Sequence, residues 1–162
     1  MNQLCSTSPP RVHLVILDRG EKPESVLVVP PDFVVRTIDG RRARTKGGLL
    51  SELARALEFP AGSGRNWDAV EELLADLDWL PAKGYLIIVT DADELLAEDD
   101  PEDYDTFIAV AKGVAEEWSA PREGAFARPA VPFHVCLLVD RDRAGARRDW
   151  RIPRLSIGRS PG

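Results

Sequence analysis

The sequence contains few of the residues on which disulfide-rich and metal-binding proteins depend. Its 162 residues include 2 cysteines, Cys5 and Cys136, and 2 histidines, His13 and His134. Two cysteines are too few for the disulfide framework of a small secreted protein. No cluster of cysteine and histidine has the spacing of a zinc site. We therefore expect no disulfide scaffold and no metal site, with Cys136 as a buried thiol in an apolar run.

Long hydrophobic runs are also missing. The longest, at residues 86–89 and 135–139, are far shorter than the roughly 20 residues that a membrane-spanning helix requires. The first residues, Met-Asn-Gln-Leu-Cys, lack the basic and apolar regions of a secretory signal. With 44% hydrophobic and 30% charged residues, the composition is that of an ordinary globular protein. We therefore expect a cytoplasmic protein with no membrane partner.

The hydrophobic pattern predicts one α/β domain. Residues 1–10 are expected to form a flexible N-terminus, residues 11–140 a single folded domain, and residues 141–162 an Arg-rich C-terminal extension. Strands are predicted at 12–17, 26–29, 33–38, 85–90 and 133–139, and helices at 49–59, 67–80 and 104–118. Crossover connections of this length imply parallel pairing. The expected fold is a small, mostly parallel sheet flanked by helices, with extra N-terminal strands.

The predicted helix at 67–80 carries an acidic stripe that no basic residue relieves. Asp68, Glu72 and Asp76 fall four residues apart, with Glu71 beside them, while the apolar residues occupy another face. No lysine or arginine lies between Asp68 and Leu80. Like charges at this spacing destabilise a helix by roughly 0.2–0.5 kcal/mol per pair. A stripe that is kept despite this effect suggests a partner that supplies the positive charge.

The wider charge distribution supports a protein partner. The net charge is −6, but residues 67–105 alone hold 14 acids and a single base, Lys83. An acidic centre of this kind disfavours direct binding of nucleic acid and favours a basic protein. The alternative is an acidic face that serves only solubility.

Two features are similar to parts of enzyme sites. Asp91, Asp93 and Glu94 follow a predicted strand, where clustered carboxylates suit Mg²⁺, but no Gly-x-x-x-x-Gly-Lys-Ser/Thr segment exists to bind phosphate. The glycine-rich loop at 62–64 follows a helix instead of a strand, and Asp68 would repel a phosphate there. No serine or cysteine lies in a nucleophile motif. We therefore expect no catalytic residues and no cofactor.

The loop and the acidic helix together resemble the barstar family, the small intracellular inhibitors of secreted guanyl-specific ribonucleases. The shared pattern is a helix that ends at Pro60, a short loop, the core Gly64-x-Asn66-x-Asp68-Ala69, and then hydrophobes at 70 and 74. The order of the predicted elements also fits, so the resemblance covers roughly residues 33–140. It implies a parallel three-stranded sheet flanked by helices.

The resemblance also implies function by occlusion of a ribonuclease active site. The loop and the acidic helix would meet the basic groups that otherwise hold RNA phosphates. The chain would then be a non-enzymatic inhibitor of a basic ribonuclease, such as a bacterial immunity protein against a secreted or toxin-type ribonuclease. The expected partner-binding residues are Gly62, Ser63, Gly64, Arg65, Asn66, Asp68, Glu71, Glu72 and Asp76.

Some positions depart from the family pattern. Gly62 and Ser63 stand where the family's loop can carry tyrosines, and Glu72 stands in place of an aspartate. Gly113 stands where a later helix carries a further acid. These differences point to a partner unlike the typical family target. Two alternatives to a ribonuclease inhibitor remain. One is a regulatory module for a basic non-nuclease partner, and the less favoured one is a Mg²⁺-dependent enzyme that uses Asp91 and Asp93.

Overall fold

The computed structural model describes residues 2–145 and 148–157, and this part of the chain folds around one parallel sheet. Its strands are β1 (Val12–Leu17), β2 (Val34–Asp39), β3 (Tyr85–Thr90) and β4 (Phe133–Asp140). Its α-helices are α1 (Pro23–Val26), α2 (Lys46–Ala56), α3 (Trp67–Asp76) and α4 (Pro101–Trp118). The strand order is β1-β4-β3-β2. Within the same residues, no helix combines the length and the hydrophobicity needed to cross a bilayer.

Alternation along the strands divides the interior into two cores. In β3, Tyr85, Ile87 and Val89 belong to the main core, whereas Leu86 and Ile88 face the other side of the sheet. Successive side chains of a strand point to opposite faces, so this division follows directly from the sequence. The apolar faces of α2, α3 and α4 cover the main core. Helix α3 therefore packs on the main core through its apolar face.

The second face of the sheet has its own small core. Leu4, from the first ten residues, is only 1% exposed there, and Val26 and Leu27 cover it from the end of α1. Partly buried Leu155 and Ile157 reach the same face from the C-terminal segment. Segments outside the family resemblance therefore close this side of the sheet.

The predicted fold class is confirmed, and the sheet has four strands in place of the three that the resemblance implies. The additional strand is β1, which pairs with β4 from Val12 opposite Val135 to Leu17 opposite Asp140. The second predicted N-terminal strand, at 26–29, is wrong. Pro23 begins the single turn of α1, and the residues that follow it join no strand. Proline at the first position of a helix has its φ angle already set for the turn.

The helices differ from their predicted limits for local reasons. α2 begins before residue 49 because the Thr45 side chain accepts a hydrogen bond of 3.0 Å from the backbone nitrogen of Gly48. α3 ends at Asp76 instead of near residue 80, because Leu77 adopts a left-handed conformation with φ of 47°. The backbone nitrogen of Leu77 still donates to the carbonyl of Leu73 at 3.0 Å, which closes the last turn.

The described part of the C-terminal segment packs along the domain. Trp150 is 8% exposed in the main core, and the Tyr104 hydroxyl donates to its carbonyl at 2.7 Å. Beside β1, the backbone nitrogen of Leu14 donates to the carbonyl of Pro153 at 2.8 Å, and that of Leu155 donates to Leu14 at 2.9 Å. The segment therefore covers part of the β1 edge.

Candidate partner-binding site

The site begins at a well-formed helix N-terminus. The Asn66 side chain accepts a hydrogen bond of 2.8 Å from the backbone nitrogen of Ala69, while its own backbone is extended. This contact satisfies one of the free donors of the first turn and starts α3 at Trp67, as the sequence predicts. Asp68 lies in that first turn, where the helix dipole favours a negative charge.

Burial of the opposite face fixes the rotation of α3. Val70 and Leu74 are 1% and 3% exposed in the main core. Half-buried Trp67 packs beside Phe107 of α4, with ring centres 6.4 Å apart. Because this apolar face is anchored on two sides, the acidic face is held towards solvent.

The four stripe carboxylates are exposed, and none forms an ion pair with another described residue, although Arg128 lies near Asp76 and donates to its main-chain carbonyl at 3.3 Å. Asp68, Glu71, Glu72 and Asp76 are all exposed. Across residues 2–145 and 148–157, no ion pair within 4.0 Å involves any of them. The stripe is therefore a concentrated negative surface on a rigid support, as the spacing predicts.

The side chain of Glu71, on α3, lies beside Gly113 of α4. A Cβ atom added at Gly113 would lie 3.7 Å from Oε1 of Glu71. Since Gly113 has no side chain, the carboxylate of Glu71 can lie close to the backbone of α4. The place where the resemblance leads us to expect an acid on the later helix therefore lies next to the carboxylate of Glu71.

The loop before α3 is closed by its own hydrogen bonds and tied to α2. The backbone nitrogen of Ser63 donates to the carbonyl of Pro60 at 3.2 Å, and the Ser63 hydroxyl donates to the same oxygen. Gly62 has φ of +82°, a conformation that favours glycine. Arg65 donates to the Ser51 hydroxyl of α2 at 2.8 Å, so its guanidinium holds the loop in place.

Because Gly64 has no side chain, the loop can lie close to the first turn of α3. A Cβ atom added there would lie 3.1 Å from the Cβ of Ala69, which is tighter than ordinary contact. Gly62, Gly64 and Asn66 are nevertheless exposed to solvent. The structure therefore brings the predicted loop residues and Asp68 together at one end of α3, with main chain accessible to a partner.

Sequence reasoning missed the groups that hold the other end of α3. Arg128 and Arg122 both donate to the carbonyl of Ala75, at 2.7 Å and 3.1 Å. The indole nitrogen of Trp118 donates to the carbonyl of Leu74 at 2.8 Å. These donors satisfy carbonyls that a helix end leaves free, and the two cations complement the dipole. The sequence shows two arginines in the 119–132 loop, but no spacing rule connects them to α3.

The acidic cluster at the carboxyl end of the sheet differs from the stripe because arginines neutralise it. Arg143 lies 3.1 Å from Asp91 and 3.3 Å from Asp93, and Arg41 lies 3.5 Å from Asp91. The hydrogen bond from Arg143 to Asp140 raises the pKa of this guanidinium. Within the described ranges, no group of three or more His, Cys, Asp or Glu residues could hold a metal ion. The geometry therefore gives no support to a Mg²⁺ site at Asp91 and Asp93.

Comparison with known proteins agrees with the geometry. The sequence model of the family described as Barstar (barnase inhibitor) matches residues 33–137, a range that contains the loop, α3 and α4. No curated protein sequence matches the chain. Because the family match covers more than half of the 162 residues, this chain belongs to the barstar family, a family of barnase inhibitors.

Proposed function

We propose that this chain is a non-enzymatic inhibitor of a basic ribonuclease, whose active site it occludes with α3 and the loop at 62–66. The observation that carries the proposal is the exposed stripe Asp68, Glu71, Glu72 and Asp76, which forms no ion pair within 4.0 Å among the described residues. An active site that binds RNA phosphates presents cationic groups. Four carboxylates on a rigid helix are suited to neutralise such a site.

The inhibitor acts through a preformed surface. α3 is anchored on the main core by Val70 and Leu74, and the Asn66 cap and the contact between Arg65 and Ser51 hold the loop. Little ordering is therefore required on binding, which lowers the entropic penalty of association. The concentrated negative charge also accelerates encounter with a cationic partner, and this effect weakens as salt increases.

We place the inhibitor in the cytoplasm of a bacterium that produces a secreted or toxin-type ribonuclease, against which it gives immunity. Its cysteines support a reducing compartment, since Cys5 and Cys136 are both free. Burial raises the pKa of the Cys136 thiol to about 12, so this group is an inert part of the smaller core.

The composition of the loop favours a second candidate, a regulatory module that binds a basic non-nuclease protein. Gly62 and Ser63 offer a partner no aromatic side chain, although aromatic residues often dominate the binding energy of interfaces. The same acidic stripe would then attract a different basic surface.

Binding and inhibition assays test the proposal. The probes are barnase and any small ribonuclease encoded beside the gene for this chain. The test variant is Asp68→Ala with Glu72→Ala, and the matched control is Glu24→Ala with Asp32→Ala, which removes the same charge from exposed acids elsewhere. We expect the test variant to bind at least about 100-fold more weakly, while the control stays within about threefold of the wild type.

The outcomes separate the candidates. If the wild type neither binds nor inhibits any of these ribonucleases, the proposed function is wrong. Tight binding without inhibition would show that α3 and the loop do not occlude the active site. Equal affinity of test and control variants would exclude neutralisation by the stripe. Circular dichroism of each variant shows whether the fold is retained.

A further inference from the structure

A short loop after α4 holds an aromatic side chain in solvent. Phe126 is 84% exposed. Two backbone hydrogen bonds close the loop at its base: Arg122 donates to Arg128 at 2.9 Å, and Arg128 donates back at 3.1 Å. Gly124 has φ of +87°, which allows the tight turn that presents the ring. Residues 122–128 are called the Phe126 loop below.

The Phe126 loop is fixed to the end of the acidic helix. Both of its arginines donate to the carbonyl of Ala75. The guanidinium of Arg128 also stacks on Trp118, with 3.3 Å between its central carbon and the ring centre. Arg122 forms a further ion pair of 2.5 Å with Glu117. Both ends of the loop are therefore anchored, and Phe126 lies between them, exposed beside a groove.

A groove of about 880 Å³ is lined by the Phe126 loop and by residues at the end of α3. Its exposed apolar lining comes from Pro81, Ala127 and Pro129, above the almost fully buried Trp118 and Tyr85. Three exposed acids, Asp76, Asp78 and Glu123, also line it. Arg122 and Arg128 line it as well, but both donate to the carbonyl of Ala75, and Arg122 also pairs with Glu117. Asp76 belongs to the stripe as well, so the acidic side of the groove adjoins the negative surface of α3. A partner that fits here carries an apolar side chain flanked by basic residues.

We infer that the Phe126 loop and this groove form a second part of the interface with the basic ribonuclease. Phe126 is the aromatic anchor, and the groove receives an apolar side chain of the ribonuclease beside its basic residues. This inference rests on the proposed function. Aromatic side chains are enriched at protein–protein interfaces and often dominate their binding energy. The loop at 62–66 has no aromatic residue, so the Phe126 loop supplies the apolar contact that the acidic stripe lacks.

The test is the affinity of Phe126→Ala for the ribonuclease that the wild type binds, chosen from barnase and the ribonuclease encoded nearby. The matched control is Val28→Ala, because Val28 is also highly exposed, at 77%, but lies in the segment that covers the other face of the sheet. We expect Phe126→Ala to raise Kd at least about tenfold, mainly through faster dissociation. Phe126→Tyr and Val28→Ala should stay within about threefold of the wild type.

Each outcome decides the inference. If Phe126→Ala binds like the wild type while the Asp68 and Glu72 double variant loses affinity, the inference is wrong and the proposed function stands. Equal weakening by Phe126→Ala and Val28→Ala would also overturn it. If the wild type binds none of the ribonucleases, both proposals are wrong. Thermal unfolding of Phe126→Ala should match the wild type, since so exposed a ring adds little to packing.

Discussion

Nε2 of His13 lies 2.8 Å from Nδ1 of His134, and both side chains are fully buried on the second face of the sheet. Nε2 of His134 lies 2.7 Å from the carbonyl oxygen of Ser6, which can only accept, so that nitrogen carries a hydrogen. Burial lowers the pKa of both rings, which favours their neutral forms. His134 therefore accepts at Nδ1, and His13 donates to it.

This pair predicts a loss of stability in mild acid. Burial, followed by the charge of His134, lowers the pKa of His13 from 6.5 to about 4. Between these two pH values, His13 therefore binds a proton more readily in the unfolded chain than in the folded protein. The contribution of His13 to the free energy of unfolding is complete above pH 6.5. It declines as the pH falls towards 4, by ~3 kcal/mol at most. Urea unfolding across this range measures it.

The control for the histidine prediction is His13→Gln, which removes the titrating group and keeps a polar side chain. The free energy of unfolding of this variant should depend less on pH than that of the wild type between pH 6.5 and about 4. Identical pH profiles would show that His13 does not titrate in the way its burial indicates.

Arg128 predicts a second effect on stability. Arg128→Ala removes the hydrogen bond to Ala75 and the stacking on Trp118, and leaves helix carbonyls with fewer donors. Charge-assisted hydrogen bonds and partly desolvated cation–π contacts together suggest a loss of about 2–4 kcal/mol. Chemical denaturation measures this loss. Arg19→Ala, at an exposed arginine outside α3 and its supports, should change stability by less than about 0.5 kcal/mol.

The same region shows where prediction from the sequence fails. The start of α3 was predictable because Asn66 and Ala69 are near neighbours in sequence, and β3 was predictable because its apolar run is continuous. Leu77 ends α3 locally, but the donors to the carbonyl of Ala75 in its last turn, Arg122 and Arg128, lie more than forty residues later in the chain. The exposure of the stripe follows from helical spacing alone. The position of Glu71 above Gly113 requires knowledge of how two helices pack.

The residues at 26–29 illustrate a different kind of failure. Val26 and Leu27 are buried, as an apolar run requires, but they are buried at the end of one helical turn. A run of four apolar residues satisfies a short strand and a helical turn equally well. Pro23 is the local feature that distinguishes the two structures, because it sets the first helical φ angle.

Two glycines in helices predict opposite effects of alanine. At Gly113, a new Cβ would meet only Glu71 within 4 Å, at an ordinary contact distance of 3.7 Å. Gly113→Ala should therefore stabilise the protein by about 0.8–1.0 kcal/mol through helix propensity. At Gly48, a new Cβ would lie 2.6 Å from the carbonyl oxygen of Arg42. Gly48→Ala should destabilise by roughly 1–3 kcal/mol. Thermal unfolding of both variants measures these effects. Stabilisation by both substitutions would contradict the prediction.

The acidic stripe itself predicts that one neutral substitution stabilises the free protein. Glu72 lies four residues from both Asp68 and Asp76, so Glu72→Gln relieves two like-charge pairs and should add ~0.4–1 kcal/mol to the free energy of unfolding. Asp68→Asn relieves only one of these pairs and loses a favourable interaction with the N-terminus of α3. Asp68→Asn should therefore leave the free energy of unfolding unchanged or lower it slightly.

Salt separates this repulsion from other effects of Glu72→Gln. Because Glu72 is exposed, about 1 M NaCl should screen most of the repulsion and reduce the gain. Urea unfolding of wild type and variant at low and high salt makes the measurement. A gain of the same size at both salt concentrations would assign the effect to packing or helix propensity. A gain that disappears in salt, together with weaker binding to the ribonuclease, would mean that the stripe is kept for its partner at the expense of stability.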